Sequence, residues 1–195
     1  RTCNFDCMYC EVKRDVPAQV QELDIDVLSE ELKRTLDYVE SGRIRELPCF
    51  AALPDELLQL RHVALSGDGE PTLCPKFAEV VQVVVHVRAL GKYPFFKMVL
   101  LTNSTGLDLP AVQRGLKFFN KQDEVWAKLD AGTQEFMNRV NRPQATLDKV
   151  MANIRTLGQQ RPVAIQSLFC TIQGEEPSDL EIQQYAERLK ELRDG

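Results

Sequence analysis

Three cysteines open the chain in the pattern C-x3-C-x2-C: Cys3, Cys7 and Cys10, within RTCNFDCMYCEV. Three thiolates on one short loop can hold three irons of a four-iron cluster and leave the fourth iron without a protein ligand. An open iron can bind a substrate or cofactor, so the spacing points to chemistry more than to scaffolding. Two blander readings stand beside it. Structural zinc takes four ligands in closed tetrahedral geometry, and no fourth Cys or His lies near in sequence, although Cys49 or His62 could fold back. Ordinary buried thiols are the other alternative.

A second segment, LSGDGEPTLCP at 65–75, ends an apolar run and precedes a helical pattern. Gly67 and Gly69 allow backbone to approach a ligand closely. Glu70 places a carboxylate at the C-terminal end of a strand, where ligands bind in parallel α/β folds. A glycine-rich turn with a helix-capping acid is the plain alternative. Further along, Lys128 is a candidate substrate-facing group, with an ion pair to Asp130 as its alternative. Arg139 and Arg142 in NRVNRP could bind an anion or be surface charges. Cys170, Cys49, Cys74, His62, His86 and Trp126 read as structural.

These side chains need elements to hold them. Four short apolar segments read as buried strands: 62–66, 97–103, 124–130 and 163–169. Helical stripes lie between and around them. Leu28, Leu32, Leu36 and Val39 form one; Phe77, Val80, Val81, Val84 and Val87 another. A short helix starts near Pro110, and a fourth, with Thr146 as N-cap, carries Leu147, Val150, Met151, Ile154 and Leu157. Ser178 to Glu181 reads as a capping box that opens a last helix with the apolar stripe Ile182, Tyr185, Ala186, Leu189 and Leu192. The stretch 41–60 is irregular, with one short helix at 55–60. Strands alternating with helices imply βαβ units and a parallel sheet. In 124–130, Val125, Ala127 and Leu129 share the face that suits packing under helices. Trp126, Lys128 and Asp130 share the other, which would face a crevice or lumen. In 163–169 the polar Gln166 shares its face with Ala164 and Leu168.

Taken in order, the cysteine motif with an aromatic (Tyr9) before its last Cys, and then a strand ending in Gly-Glu-Pro, resemble the radical S-adenosylmethionine (radical SAM) superfamily. SGDGEPTL, LLTNS, KLDAGT and NRVNRP are similar to the iron–sulfur oxidoreductases related to wyosine-type tRNA-modifying enzymes. The resemblance implies an α/β fold, a partial (β/α)6 TIM-like barrel of the radical SAM type. It implies one radical SAM core domain over 1–195, truncated at both ends, with one strand before Arg1 and one after Gly195. Cys3, Cys7 and Cys10 would ligate a [4Fe–4S] cluster, and S-adenosylmethionine would chelate its open iron. Tyr9 would lie near the adenine. Gly69 and Glu70, with Gly67 and Asp68, would receive the methionine amino group. The family more often has Gly-Gly-Glu-Pro, so the extra residue leaves open which carbonyl faces the amine. Asn103, Ser104 and Asp130 match positions that contact ribose or carboxylate, with Gln166 and Phe169 weaker candidates on the adenine side. The implied reaction is reductive cleavage to a 5′-deoxyadenosyl radical, which abstracts hydrogen from an unidentified substrate, with a tRNA nucleoside as the candidate. The electron would come from a reducing partner such as flavodoxin or ferredoxin.

Composition bounds these readings. The chain has 195 residues, 44% hydrophobic and 27% charged, with a net charge of −5. That is one ordinary globular domain with no overall pull toward nucleic acid. No apolar run approaches the roughly 18 residues of a membrane span, so no membrane partner is expected. Three of six cysteines crowd into eight residues, which favours reduced thiols and a cytoplasmic setting over a secreted disulfide framework. Two rivals follow from the same motifs: an activase that makes a glycyl radical on a partner protein, and a non-catalytic iron–sulfur or zinc-binding electron-transfer module.

Overall fold

A computed structural model describes residues 3–12 and 23–194. Among the described residues four strands form one parallel sheet in sequence order: β1 (His62–Leu65), β2 (Lys97–Thr102), β3 (Glu124–Lys128) and β4 (Ala164–Gln166). Leu65 pairs with Leu100 and Leu100 with Val125, while Lys128 pairs with Gln166. Each strand is followed by helix: α2 (Phe77–Ala89), α3 (Pro110–Leu116), α4 (Gln134–Val140) with α5 (Leu147–Gly158), and α6 (Asp179–Asp194). α1 (Ile25–Glu40) precedes the sheet and packs on α2. This succession of βα units is a partial (β/α) barrel.

One face of the sheet is buried under the helices. Met98, Leu100, Val125 and Ala127 are fully covered, as the alternation of 124–130 requires. The core divides in two. Leu65, Met98, Leu100 and Val125 pack with Phe77, Val81, Val84 and Val87 of α2 and Val112 and Leu116 of α3. Ala127 and Leu129 pack with α4, α5, Tyr185 of α6 and, from the cysteine loop, Phe5. Gly115 lets α2 and α3 meet closely, because a Cβ there would lie 2.7 Å from the Phe77 ring.

The elements end earlier than the apolar runs suggest, because polar side chains capture the backbone. The run 163–169 yields only three strand residues: Leu129 N–H reaches Gln166 O, but Leu168 N–H turns to the Asp130 carboxylate at 2.9 Å. Asn103 N–H likewise leaves the ladder for Glu70 at 2.8 Å. The 41–60 stretch holds two short 3-10 turns, Arg43–Glu46 and Asp55–Leu57. α4 was not marked by any apolar stripe in the sequence; it is seven residues long, and Thr133 Oγ1 caps it by accepting Phe136 N–H. Thr146 caps α5 as expected.

α6 corrects the sequence reading in two respects. Ser178 caps the helix by accepting Glu181 N–H at 3.2 Å, but the Glu181 carboxylate does not close a capping box. It is buried against the β3–α4 turn, where it accepts from Gly132 N–H, Thr133 N–H and, at 2.6 Å, Thr133 Oγ1. Serving that carboxylate rotates the helix. Glu181 and Tyr185 face inward, whereas Ile182 is 52% and Leu189 37% exposed.

Candidate functional site

The C-terminal ends of β1, β2 and β3 and the cysteine loop enclose a cavity of about 210 Å³. Cys3, Cys7, Cys10 and Tyr9 line it from the loop, Gly67, Gly69 and Glu70 from the turn after β1, Asn103 from the end of β2, and Lys128 from the end of β3. These nine expected site residues, distant in sequence, share one space. A larger groove of about 1290 Å³ opens at the other end of the strands, near Arg61, Lys97, Glu124 and Arg161, and holds no cysteine. The candidate site residues lie in the smaller cavity, at the strand ends where parallel α/β folds place their ligands.

Glu70 is buried, and its carboxylate ties two strand ends together. One oxygen accepts from Thr72 N–H (3.2 Å), Thr72 Oγ1 (2.6 Å) and Thr102 Oγ1 (2.5 Å); the other accepts from Asn103 N–H (2.8 Å). The side chain therefore fixes the turn that presents Gly67 and Gly69. Gly67 has φ of 134°, a backbone that residues with a side chain rarely adopt. Asn103 in turn donates to Asn4 Oδ1 at 2.8 Å, and Asn4 donates to Thr105 Oγ1 at 2.9 Å, which joins the cysteine loop to the end of β2.

A second buried carboxylate anchors the other side of the loop. Asp130 accepts from Tyr9 Oη and from Asn141 Nδ2 (2.8 Å) on one oxygen, and from Leu168 N–H on the other. Asn141 Nδ2 also lies 3.2 Å from Tyr9 Oη and 3.4 Å from Cys7 Sγ. Backbone bonds complete the docking: Asp6 N–H to Asn141 O and Met8 N–H to Val140 O, both 2.8 Å, and Gln144 N–H to Asn4 O at 2.9 Å. Burial pushes the Cys7 thiol above its ordinary range, although the hydrogen bond from Asn141 and the neighbouring Tyr9 hydroxyl pull the other way. Burial and the Asp130 charge raise the Tyr9 phenol strongly, so it stays a proton donor. Lys128 Nζ stands 3.6 Å from Asp130 and 5.1 Å from the centre of the Tyr9 ring. Lys128 thus makes the ion pair to Asp130 while lining the cavity.

Other candidates stand apart from the cavity. Asp68 is exposed, and Gln166 lies beside Lys128 on β4 without lining the cavity. Ser104 is fully buried with φ of 69°, and its carbonyl accepts from Asn153 at 2.8 Å; its hydroxyl has no partner among the described residues. Phe169 is half-exposed and packs edge-on against Tyr185. Arg139 and Arg142 sit on the surface beside Glu175 (3.8 Å) and Asp6 (3.6 Å). Cys170 packs against the second core and Cys74 against the first, while Cys49 is exposed. Four polar residues that build the site were not singled out in the sequence: Asn4, Thr72, Thr102 and Asn141. NRVNRP drew attention through its arginines, yet its second asparagine, Asn141, is the residue that reaches the site.

Among the described residues no three His, Cys, Asp or Glu side chains form a group that could hold a metal ion. The three thiols do line one cavity, and soft thiolates are the donor type an iron–sulfur cluster takes.

Comparison with known proteins agrees. Curated relatives include a UPF0026 protein of Synechocystis sp., 28% identical over 161 residues, covering 82% of this chain and 51% of that protein. Another is a UPF0026 protein of Helicobacter pylori (strain J99), 25% identical, covering 98% of this chain and 55% of that protein. The chain thus spans about half the length of the curated relatives it matches. Similar solved structures include TYW1 with a lysine-pyruvate adduct bound (18% identity, TM-score 0.64, 98% of this chain and 58% of that one). Streptococcus suis SuiB bound to precursor peptide SuiA is another (12% identity, TM-score 0.62, 98% and 35%). At these identities the likeness concerns the fold. The family model of the radical SAM superfamily matches residues 1–186, and the chain belongs to that superfamily.

Proposed function

We propose that this chain is the cofactor-binding core of a radical SAM enzyme that takes a hydrogen atom from a polar substrate, a tRNA nucleoside. Enzymes of the superfamily use a [4Fe–4S] cluster and S-adenosylmethionine, and they need a reductant. One observation carries the assignment of roles: Cys3, Cys7, Cys10, Gly67, Gly69, Glu70, Asn103 and Lys128 line a single cavity. Cys3, Cys7 and Cys10 would hold the cluster, which when bound supplies the electron that cleaves S-adenosylmethionine into a hydrogen-atom abstractor. Gly67 and Gly69 leave backbone groups free for the methionine end of the cofactor. Glu70 and Asp130 hold that backbone and the loop in place. Lys128, the cation that lines the cavity among the described residues, takes an anionic group of the cofactor or substrate. The tRNA assignment rests on the wyosine-type resemblance of SGDGEPTL, LLTNS, KLDAGT and NRVNRP. The reductant is of the flavodoxin or ferredoxin class. All six cysteines are free, which suits a reducing cytoplasm. No helix among the described residues is long and apolar enough to cross a membrane.

The test is direct. The full-length protein, purified without oxygen and reconstituted with iron and sulfide, should be brown and should release 5′-deoxyadenosine from S-adenosylmethionine with dithionite. Cys7→Ala should abolish both colour and product. A brown wild-type protein that yields no 5′-deoxyadenosine would be a non-catalytic iron–sulfur module, and the proposal would fail.

A further inference from the structure

Asn141 is the C-cap residue of α4 and is 2% exposed. Its carboxamide meets three groups: Asp130 Oδ2 at 2.8 Å, Tyr9 Oη at 3.2 Å and Cys7 Sγ at 3.4 Å. Chemistry fixes its orientation. An ionised carboxylate only accepts, so the amide must turn its NH2 toward Asp130. That group carries two hydrogens. Asp130 takes one and also accepts the Tyr9 hydroxyl hydrogen. The second amide hydrogen is left for the Cys7 sulfur, with Tyr9 Oη alongside. The backbone holds the sulfur in register, because Asp6 N–H and Met8 N–H, one residue to either side of Cys7, bond to Asn141 O and Val140 O. α4 ends there because Arg142 takes φ of 44°, a left-handed residue just past the helix end.

We propose that Asn141 is a positioning residue that raises the reduction potential of the cluster by donating an N–H to the Cys7 thiolate. The inference rests on Cys7 being a cluster ligand, as proposed above. Reduction adds one electron, and with it negative charge, to the cluster and its sulfurs. A donor aimed at a sulfur is therefore worth more in the reduced state, and hydrogen bonds to cluster sulfurs are an established lever on potential. Burial keeps water from replacing that donor. The negative Asp130 nearby works in the opposite direction, and donation from Tyr9, Asn141 and Leu168 tempers it. The electron comes from a one-electron reductant of the flavodoxin or ferredoxin class, and no bond of the protein is made or broken.

The measurement is an EPR-monitored redox titration of the full-length, cluster-loaded protein, wild type against Asn141→Leu, which keeps the volume and removes the donor. The reduced-to-oxidised ratio of the variant at fixed ambient potential should be about tenfold lower, or about 59 mV for one electron. A wild-type protein that holds no cluster overturns the functional proposal itself. A variant that holds a cluster at the wild-type potential overturns this inference alone, even if it melts at a lower temperature, since a merely structural role moves only the latter. Should Asn141→Leu fail to retain a cluster, the wild type decides. With 15N-labelled asparagine, pulsed EPR of the reduced cluster should show a 15N coupling and an exchangeable proton, and their absence overturns the inference.

Discussion

Glu70 shows how a site residue acts before any ligand arrives. Its two oxygens accept four hydrogen bonds, from Thr72 N–H, Thr72 Oγ1, Thr102 Oγ1 and Asn103 N–H. In Glu70→Gln one of those positions becomes an NH2 group. If the remaining oxygen keeps the threonines, the new donor faces the Asn103 N–H and leaves it unpaired in the interior. An unsatisfied buried group of this kind costs about 1–3 kcal/mol. At roughly 2–4 °C per kcal/mol for a domain of this size, Glu70→Gln should melt several degrees below wild type. Glu79→Gln, on the exposed side of α2, should stay within about 0.5 kcal/mol. Equal melting temperatures for the two variants would show that the Glu70 network is not holding the turn. The sequence offered Glu70 two roles, a ligand-binding carboxylate or a helix-capping acid, and its bond from Thr72 N–H at the start of the short turn Pro71–Leu73 realises the second. Thr72 and Thr102 were not legible there, since their value lies in converging on one carboxylate from two strands, and one-dimensional spacing carries no record of that.

At the scale of elements, strand alternation was a sound guide, and the apolar stripes gave the rotation of α2 and α5 but not of α6. Period two left 124–130 one way to bury Val125 and Ala127, so Lys128 had to face the cavity. In α6 the apolar stripe pointed to Ile182 and Leu189, yet a buried Glu181 set the rotation. The reason is energetic: orienting a charged hydrogen-bond acceptor in the interior outweighs covering two apolar side chains at a surface. α6 can seat that carboxylate only because Gly132 has no side chain. A Cβ on Gly132 would fall 2.1 Å from Tyr185 N and 2.6 Å from the Gln184 carbonyl carbon, both helix backbone that cannot rotate aside. Gly132→Ala must therefore push α6 off the β3–α4 turn, two residues from Asp130. Overpacking of this type costs about 1–3 kcal/mol, read as a lower denaturation midpoint. Gly158→Ala, with nothing within 4 Å, should be neutral or slightly stabilising. A Gly132→Ala protein as stable as Gly158→Ala would mean that the turn and α6 are not in this contact.

The whole molecule joins two cores of unequal relation to the cofactor. The first, built on Leu65, Leu100, α2 and α3, touches the cavity mainly through the Glu70 turn. The second counts the cysteine loop among its own parts: Phe5 is 5% exposed within it, Cys3, Cys7 and Tyr9 pack against it, and the loop backbone bonds to the end of α4. A cluster held, as proposed, by Cys3, Cys7 and Cys10 would bind the folded arrangement and not the unfolded chain, so it would stabilise whatever must be ordered to present three thiolates. That ordering runs through residues 3–10, Asp130 and Asn141. It does not run through the valine stripe of α2, whose Val81, Val84 and Val87 are already closed by apolar packing alone. Hydrogen exchange on the full-length protein, with and without its cluster, should separate the two. Stripping the cluster should raise exchange at 3–10 and across 130–142, where Met8 and Asp6 bond to α4, and leave β2 and α2 at their loaded rates. Uniform loosening of both cores on cluster loss would show instead that the cofactor stabilises one cooperative unit. In that case the loop would be tied to the first core as firmly as to the second, through Asn4, Asn103 and Glu70.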